Sequence, residues 1–142
     1  MWKSFLYELH ELTLLLDAGA DRLLKEKFGI RYATFLLLSV IDCEGPRVSQ
    51  VHIAEALCLT PPALTKQIPK LVELWWLEIA PNPQDRRETL ISLTSEGTTL
   101  MRKIQKLLED GFSKGIASIT THSELEHTRL ILEKIRTHIT IS

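Results

Sequence analysis

Apolar positions recur at spacings of three and four over most of this chain, and the period changes in one short stretch near its middle. Trp2, Phe5, Leu6, Leu9, Leu12, Leu16, Leu23, Leu24 and Phe28 predict a first helix over residues 2–28. Leu14 and Leu15 widen its stripe beyond one face, so the helix carries more apolar surface than a single neighbour covers, and Gly29 supplies a stop. A second helix is predicted over 31–42, where Tyr32, Ala33, Phe35, Leu36, Leu37, Leu38, Val40 and Ile41 leave almost no polar face, as in a central buried helix. Gly45-Pro46 then turns the chain. A long helix follows over 95–118, with Thr94 as its cap and Leu100, Met101, Ile104, Leu107, Leu108, Phe112 and Ile116 as its stripe. Thr121-His122-Ser123-Glu124 has capping-box spacing and opens a last helix with Leu125, Thr128, Ile131, Leu132, Ile135 and Ile139 on one face.

The stretch from Ser49 to Arg87 organises the rest. Ser49 suits the cap of a short helix with Val51, Ile53, Ala54 and Leu57 inward, and Cys58-Leu59 make a turn. Thr60 has the side chain of an N-cap whose oxygen accepts from first-turn amides, and Pro61 suits the first helical position, where the amide has no partner anyway. Leu64, Ile68 and Leu71 form the buried stripe of the helix from Pro61 to about Leu74, leaving Pro62, Thr65, Lys66 and Lys70 outward. Trp76 to Ile79 reads as a strand, Pro81 to Arg87 as a polar, turn-rich tip, and Glu88 to Leu93 as a returning, half-buried strand. Helix, turn, helix, strand, basic hairpin, strand is the layout of a winged helix-turn-helix. An ordinary helix pair and a solvated charged turn would read the same piece by piece. Arg86 and Arg87 on a hairpin tip are placed for phosphates or a narrow minor groove, with Asp85 beside them to hold one guanidinium by charge-assisted hydrogen bonds.

Read together, Leu59-Thr60, Thr65-Lys66, Asp85-Arg86-Arg87 and Leu93-Thr94-Ser95-Glu96-Gly97 occur in an order that resembles the MarR/SlyA group of transcription regulators, and the flanking helices extend the resemblance over the whole chain. The resemblance implies a mainly α fold: one MarR-like domain over 1–142, with a winged helix-turn-helix lobe over 31–93 and dimerisation helices over 1–28 and 95–140. It implies a small strand at Arg47-Val48 pairing with the wing, and a homodimer whose two reading helices lie about 34 Å apart on a pseudo-palindromic site in double-stranded DNA. Ser49, Thr60, Pro61, Pro62, Thr65, Lys66, Lys70, Asp85, Arg86 and Arg87 are the expected DNA-binding set. A small aromatic or phenolic effector that releases a repressor is the regulation the family suggests. Four departures from the family pattern stand out. Trp75 stands where glycine is usual, Pro69 and Ile79 replace polar or basic residues, and Pro62-Ala63 replaces a Ser/Thr pair. Pro69 removes a hydrogen bond to the Thr65 carbonyl and predicts a kinked or shortened helix with its first two turns still presented.

Composition narrows the picture only slightly. The chain has 142 residues, 44% hydrophobic and 25% charged, with net charge −1, which is not the profile of a basic nucleic-acid coat. Residues 47–87 hold five basic and four acidic groups against five and seven in residues 1–46, so DNA binding would rest on local geometry and fall steeply with salt. Two cysteines, Cys43 and Cys58, fit neither a disulfide scaffold nor a zinc site, and reduced structural thiols are expected, with a redox role as a rival reading. His122 and His127 are five apart and do not share a helix face as metal ligands. There is no phosphate loop or nucleophile motif, so no enzyme, cofactor or metal is expected. Glu8, Glu11 and Asp17 break any leader pattern, no apolar run is long enough for a bilayer, and the expected location is the cytoplasm without a membrane partner. The other rival is a dimeric scaffold or regulatory protein that kept the fold and lost DNA reading, favoured by Pro69, Trp75 and Ile79.

Overall fold

Capping chemistry and turn residues decide where each helix of this chain begins and ends. The computed structural model describes residues 2–141, with side chains from Ser4 to Thr140. Its order is α1 (Trp2–Phe28), α2 (Tyr32–Glu44), β1 (Val48–Ser49), α3 (Gln50–Ala56), α4 (Pro61–Glu73), β2 (Leu77–Pro81), β3 (Thr89–Leu93), α5 (Ser95–Ile116) and α6 (His122–Ile141). The fold is thus mainly helical with a small antiparallel sheet, as the resemblance implied. The expected place of Trp2 on the α1 stripe lies outside the described side chains. The strand expected at Arg47-Val48 is instead Val48–Ser49, because Arg47 has a left-handed backbone (φ 69°) and only its N–H is anchored, to Ser92 Oγ at 3.0 Å.

The chain clusters into two compact units, Met1–Gln105 and Lys106–Ser142. The first holds the core: Leu37, Leu38 and Ile41 of α2 meet Ile53 and Ala54 of α3, Leu64, Ile68 and Leu71 of α4, Leu77 and Ile91 of the sheet, and Met101 of α5. The sheet runs β1-β3-β2, with Val48 opposite Ile91 and Leu77 opposite Leu93. Alternation puts Ile91 inside. β2 is an outer strand and buries only Leu77, leaving Ile79 about half exposed. α2 is less enclosed than its composition suggested, since Leu36 reaches the surface.

α2 takes its N-terminal cap from another helix. Arg31, at the cap position, makes no side-chain cap bond; Asp21 of α1 accepts from the Tyr32 N–H at 2.9 Å and from Arg31 Nε at 2.9 Å. The Tyr32 N–H, followed by the Arg31 guanidinium, holds the Asp21 carboxyl below its ordinary range. At the other end of α2, Asp42 receives both terminal nitrogens of Arg102 at 3.1 Å and the amide of Gln105 at 3.3 Å, fastening α2 to α5. On α1, Phe5, Leu6, Leu12, Leu14 and Leu15 are exposed.

In the second unit the capping box forms as its spacing predicted. Thr121 N–H donates to Glu124 Oε2 at 2.8 Å and Glu124 N–H to Thr121 Oγ1 at 3.3 Å. Leu125, Leu130, Ile131, Leu132 and Ile139 of α6 are exposed.

Candidate nucleic-acid interface

The turn before α4 is built by backbone geometry rather than by glycine. Cys58 sits at φ 52°, which lets the Leu59 N–H reach the Ala54 carbonyl at 2.9 Å and the Cys58 N–H reach Glu55 at 3.2 Å. Ser49 caps α3 as expected, accepting from the His52 N–H at 3.1 Å. The expected inward placement of Val51 is not found. It is 59% exposed and lines a cleft of about 340 Å³ with Gln50, Asp85, Arg87, Glu88 and Thr89, on the side of α3 that faces the wing.

α4 begins without the Thr60 side-chain cap. The reason is local: Pro61 and Pro62 have no N–H, and the Ala63 N–H is already bonded to the Thr60 carbonyl at 3.1 Å, so the hydroxyl has no amide to accept from. Leu64, Ile68 and Leu71 are buried as predicted, while Pro61, Pro62, Thr65, Lys66 and Lys70 are all exposed. Helical geometry puts Pro62, Thr65, Lys66 and Pro69 on one outward face. The Thr65 hydroxyl donates back to the Pro61 carbonyl at 2.8 Å. The shortening expected from Pro69 is absent. α4 continues to Glu73 with Pro69 on its exposed face, beside the exposed Thr65 and Lys66, so the ring does not disturb the buried stripe.

The end of α4 is a Schellman motif with tryptophan in the glycine position. Trp75 has φ 62°; its N–H meets the Val72 carbonyl at 3.0 Å and the Trp76 N–H meets Leu71 at 3.0 Å. The next element locks onto this turn. Thr94 caps α5, accepting from the Gly97 N–H at 3.0 Å, while its own hydroxyl donates to the Trp75 carbonyl and its N–H to the Trp76 carbonyl at 3.1 Å. A Cβ on Gly97 would lie 2.1 Å from the Trp76 carbonyl oxygen. Leu-Thr-x-x-Gly is therefore the joint that fixes the end of α4 against α5.

The wing tip departs from expectation in one respect. Asp85 pairs with neither arginine side chain; its Oδ1 accepts from the Arg87 backbone N–H at 3.0 Å, closing a short turn. A carboxylate already engaged by its own loop is not aimed at a guanidinium. Two residues absent from the predicted set hold the loop with it. Asn82 receives the Gln84 N–H on its Oδ1 at 3.0 Å, donates its Nδ2 to Glu88, and bonds the Glu88 carbonyl through its N–H at 2.9 Å. Asn82-x-Gln84 carried the turn signal in the sequence, but the partner at Glu88 is visible only when the hairpin closes.

Arg86 and Arg87 are exposed, and among the described residues neither they nor Lys66 and Lys70 enter an ion pair. Ser49, through β1 pairing with Leu90, lies on the wing side of the lobe, where Asp85 and Arg87 also sit. Among the described residues no hydrogen bond or ion pair joins Thr65, Lys66 or Lys70 to Asp85–Arg87; they stand on separate elements of one lobe. Cys43 and Cys58 are free thiols at the surface. No helix among the described residues is long and apolar enough to cross a membrane.

This lobe matches known proteins. The model of the MarR family matches residues 30–89. The chain is 28% identical over 130 residues to the multiple antibiotic resistance protein MarR of Escherichia coli strain K12, covering 89% of this chain and 90% of that protein. It is 28% identical over 134 residues to the HTH-type transcriptional regulator PecS of Dickeya dadantii, covering 92% and 79%. A crystal structure of a mutant MarR from E. coli complexed with operator DNA superposes with TM-score 0.72 at 27% identity, over 90% of this chain and 93% of that one. Helix pair, wing, Thr94–Gly97 joint and these likenesses agree: the chain shares the winged helix-turn-helix fold of MarR-family transcription regulators and is similar to them over most of its length.

Proposed function

We propose that this chain is a homodimeric repressor that binds a pseudo-palindromic site in double-stranded DNA. The observation that carries the reading is the outward face of α4, where Pro62, Thr65, Lys66 and Lys70 are exposed on the same lobe as the exposed Arg86 and Arg87. The first turns of α4 enter the major groove, with Thr65 and Lys66 at bases or phosphates and Lys70 at the backbone. Arg86 reaches the minor groove and Arg87 a phosphate. A second copy covers the apolar residues exposed on α1 and α6, and the shape of the dimer sets half-sites about one helical turn apart. A small aromatic or phenolic effector that binds the released form more tightly shifts the population off DNA. Kinship with transcription regulators supports regulation rather than catalysis, and a cytoplasmic location.

The test is a fluorescence-anisotropy titration of the protein against DNA from its own upstream region and against shuffled DNA, at two salt concentrations, with sedimentation to establish the dimer. Preference for the native DNA supports the reading. Arg86→Ala then weakens binding and lowers the salt slope by about one while the dimer persists. Weak binding, equal for both DNAs and erased by salt, favours the second reading, a dimeric scaffold with the same fold. The observation behind that alternative is that Pro69 occupies the outward face of α4, where it offers no polar side chain to DNA.

A further inference from the structure

We propose that Asn82 and Glu88 form a clamp that positions the wing arginines for DNA, making Glu88 a positioning residue rather than an electrostatic liability. The inference rests on the DNA-binding reading above.

Glu88 poses a physical puzzle. An acidic side chain next to Arg87, on the tip that carries two phosphate-seeking groups, should repel DNA and weaken binding. The structure assigns it a different task. Its carboxylate takes the Asn82 amide, its carbonyl takes the Asn82 N–H at 2.9 Å, and its own N–H donates to the Asp85 carbonyl at 3.0 Å. Asn82 closes the other side by accepting from the Gln84 N–H at 3.0 Å. The loop between Pro81 and Thr89, the last paired residues of the hairpin, is thus tied across its base. Among the described residues no hydrogen bond or ion pair holds the arginine side chains: Arg86 and Arg87 are exposed, and Asp85 bonds a backbone amide rather than a guanidinium. Their starting direction is set by the loop backbone, and that backbone is held by Asn82 and Glu88 together with the Asp85 turn. Untied, the tip would have to be ordered on DNA binding, at a cost in affinity.

Charge and clamp predict opposite signs for one substitution, which makes the test sharp. The probe is a DNA duplex enriched by the wild-type protein from a randomised pool, measured by anisotropy. Glu88→Ala removes a negative charge and the clamp together; the clamp predicts about tenfold weaker binding. Glu88→Gln keeps an oxygen acceptor for Asn82 and removes the charge, and binds as tightly as wild type or more tightly. Asn82→Ala loses affinity like Glu88→Ala, and the double variant loses no more than either one. In an Arg86→Ala, Arg87→Ala background the Glu88→Ala effect shrinks to within about twofold. A merely structural role would persist in that background. Glu88→Ala binding as tightly as wild type overturns the clamp while leaving DNA binding intact. Failure of the wild-type protein to enrich any sequence overturns the DNA-binding reading itself, and the clamp with it.

Discussion

Trp75 offers a direct way to weigh backbone strain at the end of α4. It occupies the glycine position of a Schellman motif at φ 62° with both motif hydrogen bonds made, and the residue is 74% exposed. An L-residue in this conformation costs about 1–2 kcal/mol, because Cβ crowds the following carbonyl oxygen. Glycine avoids that crowding but loses about 0.4–1 kcal/mol through the greater freedom of its unfolded chain. The net advantage of glycine over alanine is therefore about 1 kcal/mol. The indole adds an opposing contribution: roughly a quarter of about 250 Å² is covered, which at ~25 cal/mol per Å² is about 1.5 kcal/mol. Trp75→Ala loses the packing and keeps the strain, and should be destabilised by about 1.5 kcal/mol. Trp75→Gly loses the packing and relieves the strain, and should fall near wild type. The measurable quantity is the gap between the two variants, about 1 kcal/mol or about 4 °C in Tm. Urea denaturation followed by circular dichroism, at one fixed protein concentration, reads it without relying on tryptophan fluorescence. If the two variants unfold at the same urea concentration, the left-handed backbone at Trp75 is not strained and the reasoning fails.

Three further outcomes follow from the same geometry. Gly97→Ala places a Cβ at 2.1 Å from the Trp76 carbonyl, a backbone atom that cannot swing away, and should cost about 2–3 kcal/mol in urea denaturation. Arg102→Ala leaves the largely buried Asp42 carboxylate with only Gln105, so about 1–3 kcal/mol should be lost, and Asp42→Asn in the Arg102→Ala background should recover part of it. Asp21 is held below its ordinary value of 3.8, chiefly by the Tyr32 N–H. Its contribution to stability is therefore present above about that pH and is lost as pH falls through the lower folded value. Asp21→Asn should flatten that part of the acid limb in a pH series of thermal melts, and an unchanged acid limb would count against Asp21 as the cap of α2.

Much of the fold was legible along the chain because its signals are local. Apolar spacing placed the six helices of the described residues, Pro61 marked the first turn of α4, and the Thr121–Glu124 box formed bond for bond. The misplaced details share a cause: each depended on which partner a polar group or small apolar group meets in space. Thr60 had the right side chain for a cap, yet two prolines and a satisfied Ala63 amide left it nothing to bind. Asp85 stood next to the arginines in sequence, but its oxygen was captured by a closer backbone N–H. Val51 kept helical spacing with Ile53 and Ala54, yet it faces the cleft beside the wing, because the core lies on the other side of α3.

Period, capping and turn chemistry thus determined the elements and their order, and the sequence by itself placed Thr65 and Lys66 on α4 and Arg86 and Arg87 on the hairpin tip. Only the tertiary structure decided how those elements are held. It set Trp75 in the left-handed turn, brought Gly97 against the Trp76 carbonyl, drew Asp21 to the start of α2, and tied Asn82 to Glu88. These contacts join residues separated along the chain, so no local period or propensity encodes them. They exist only once burial of the core has fixed the distances between elements.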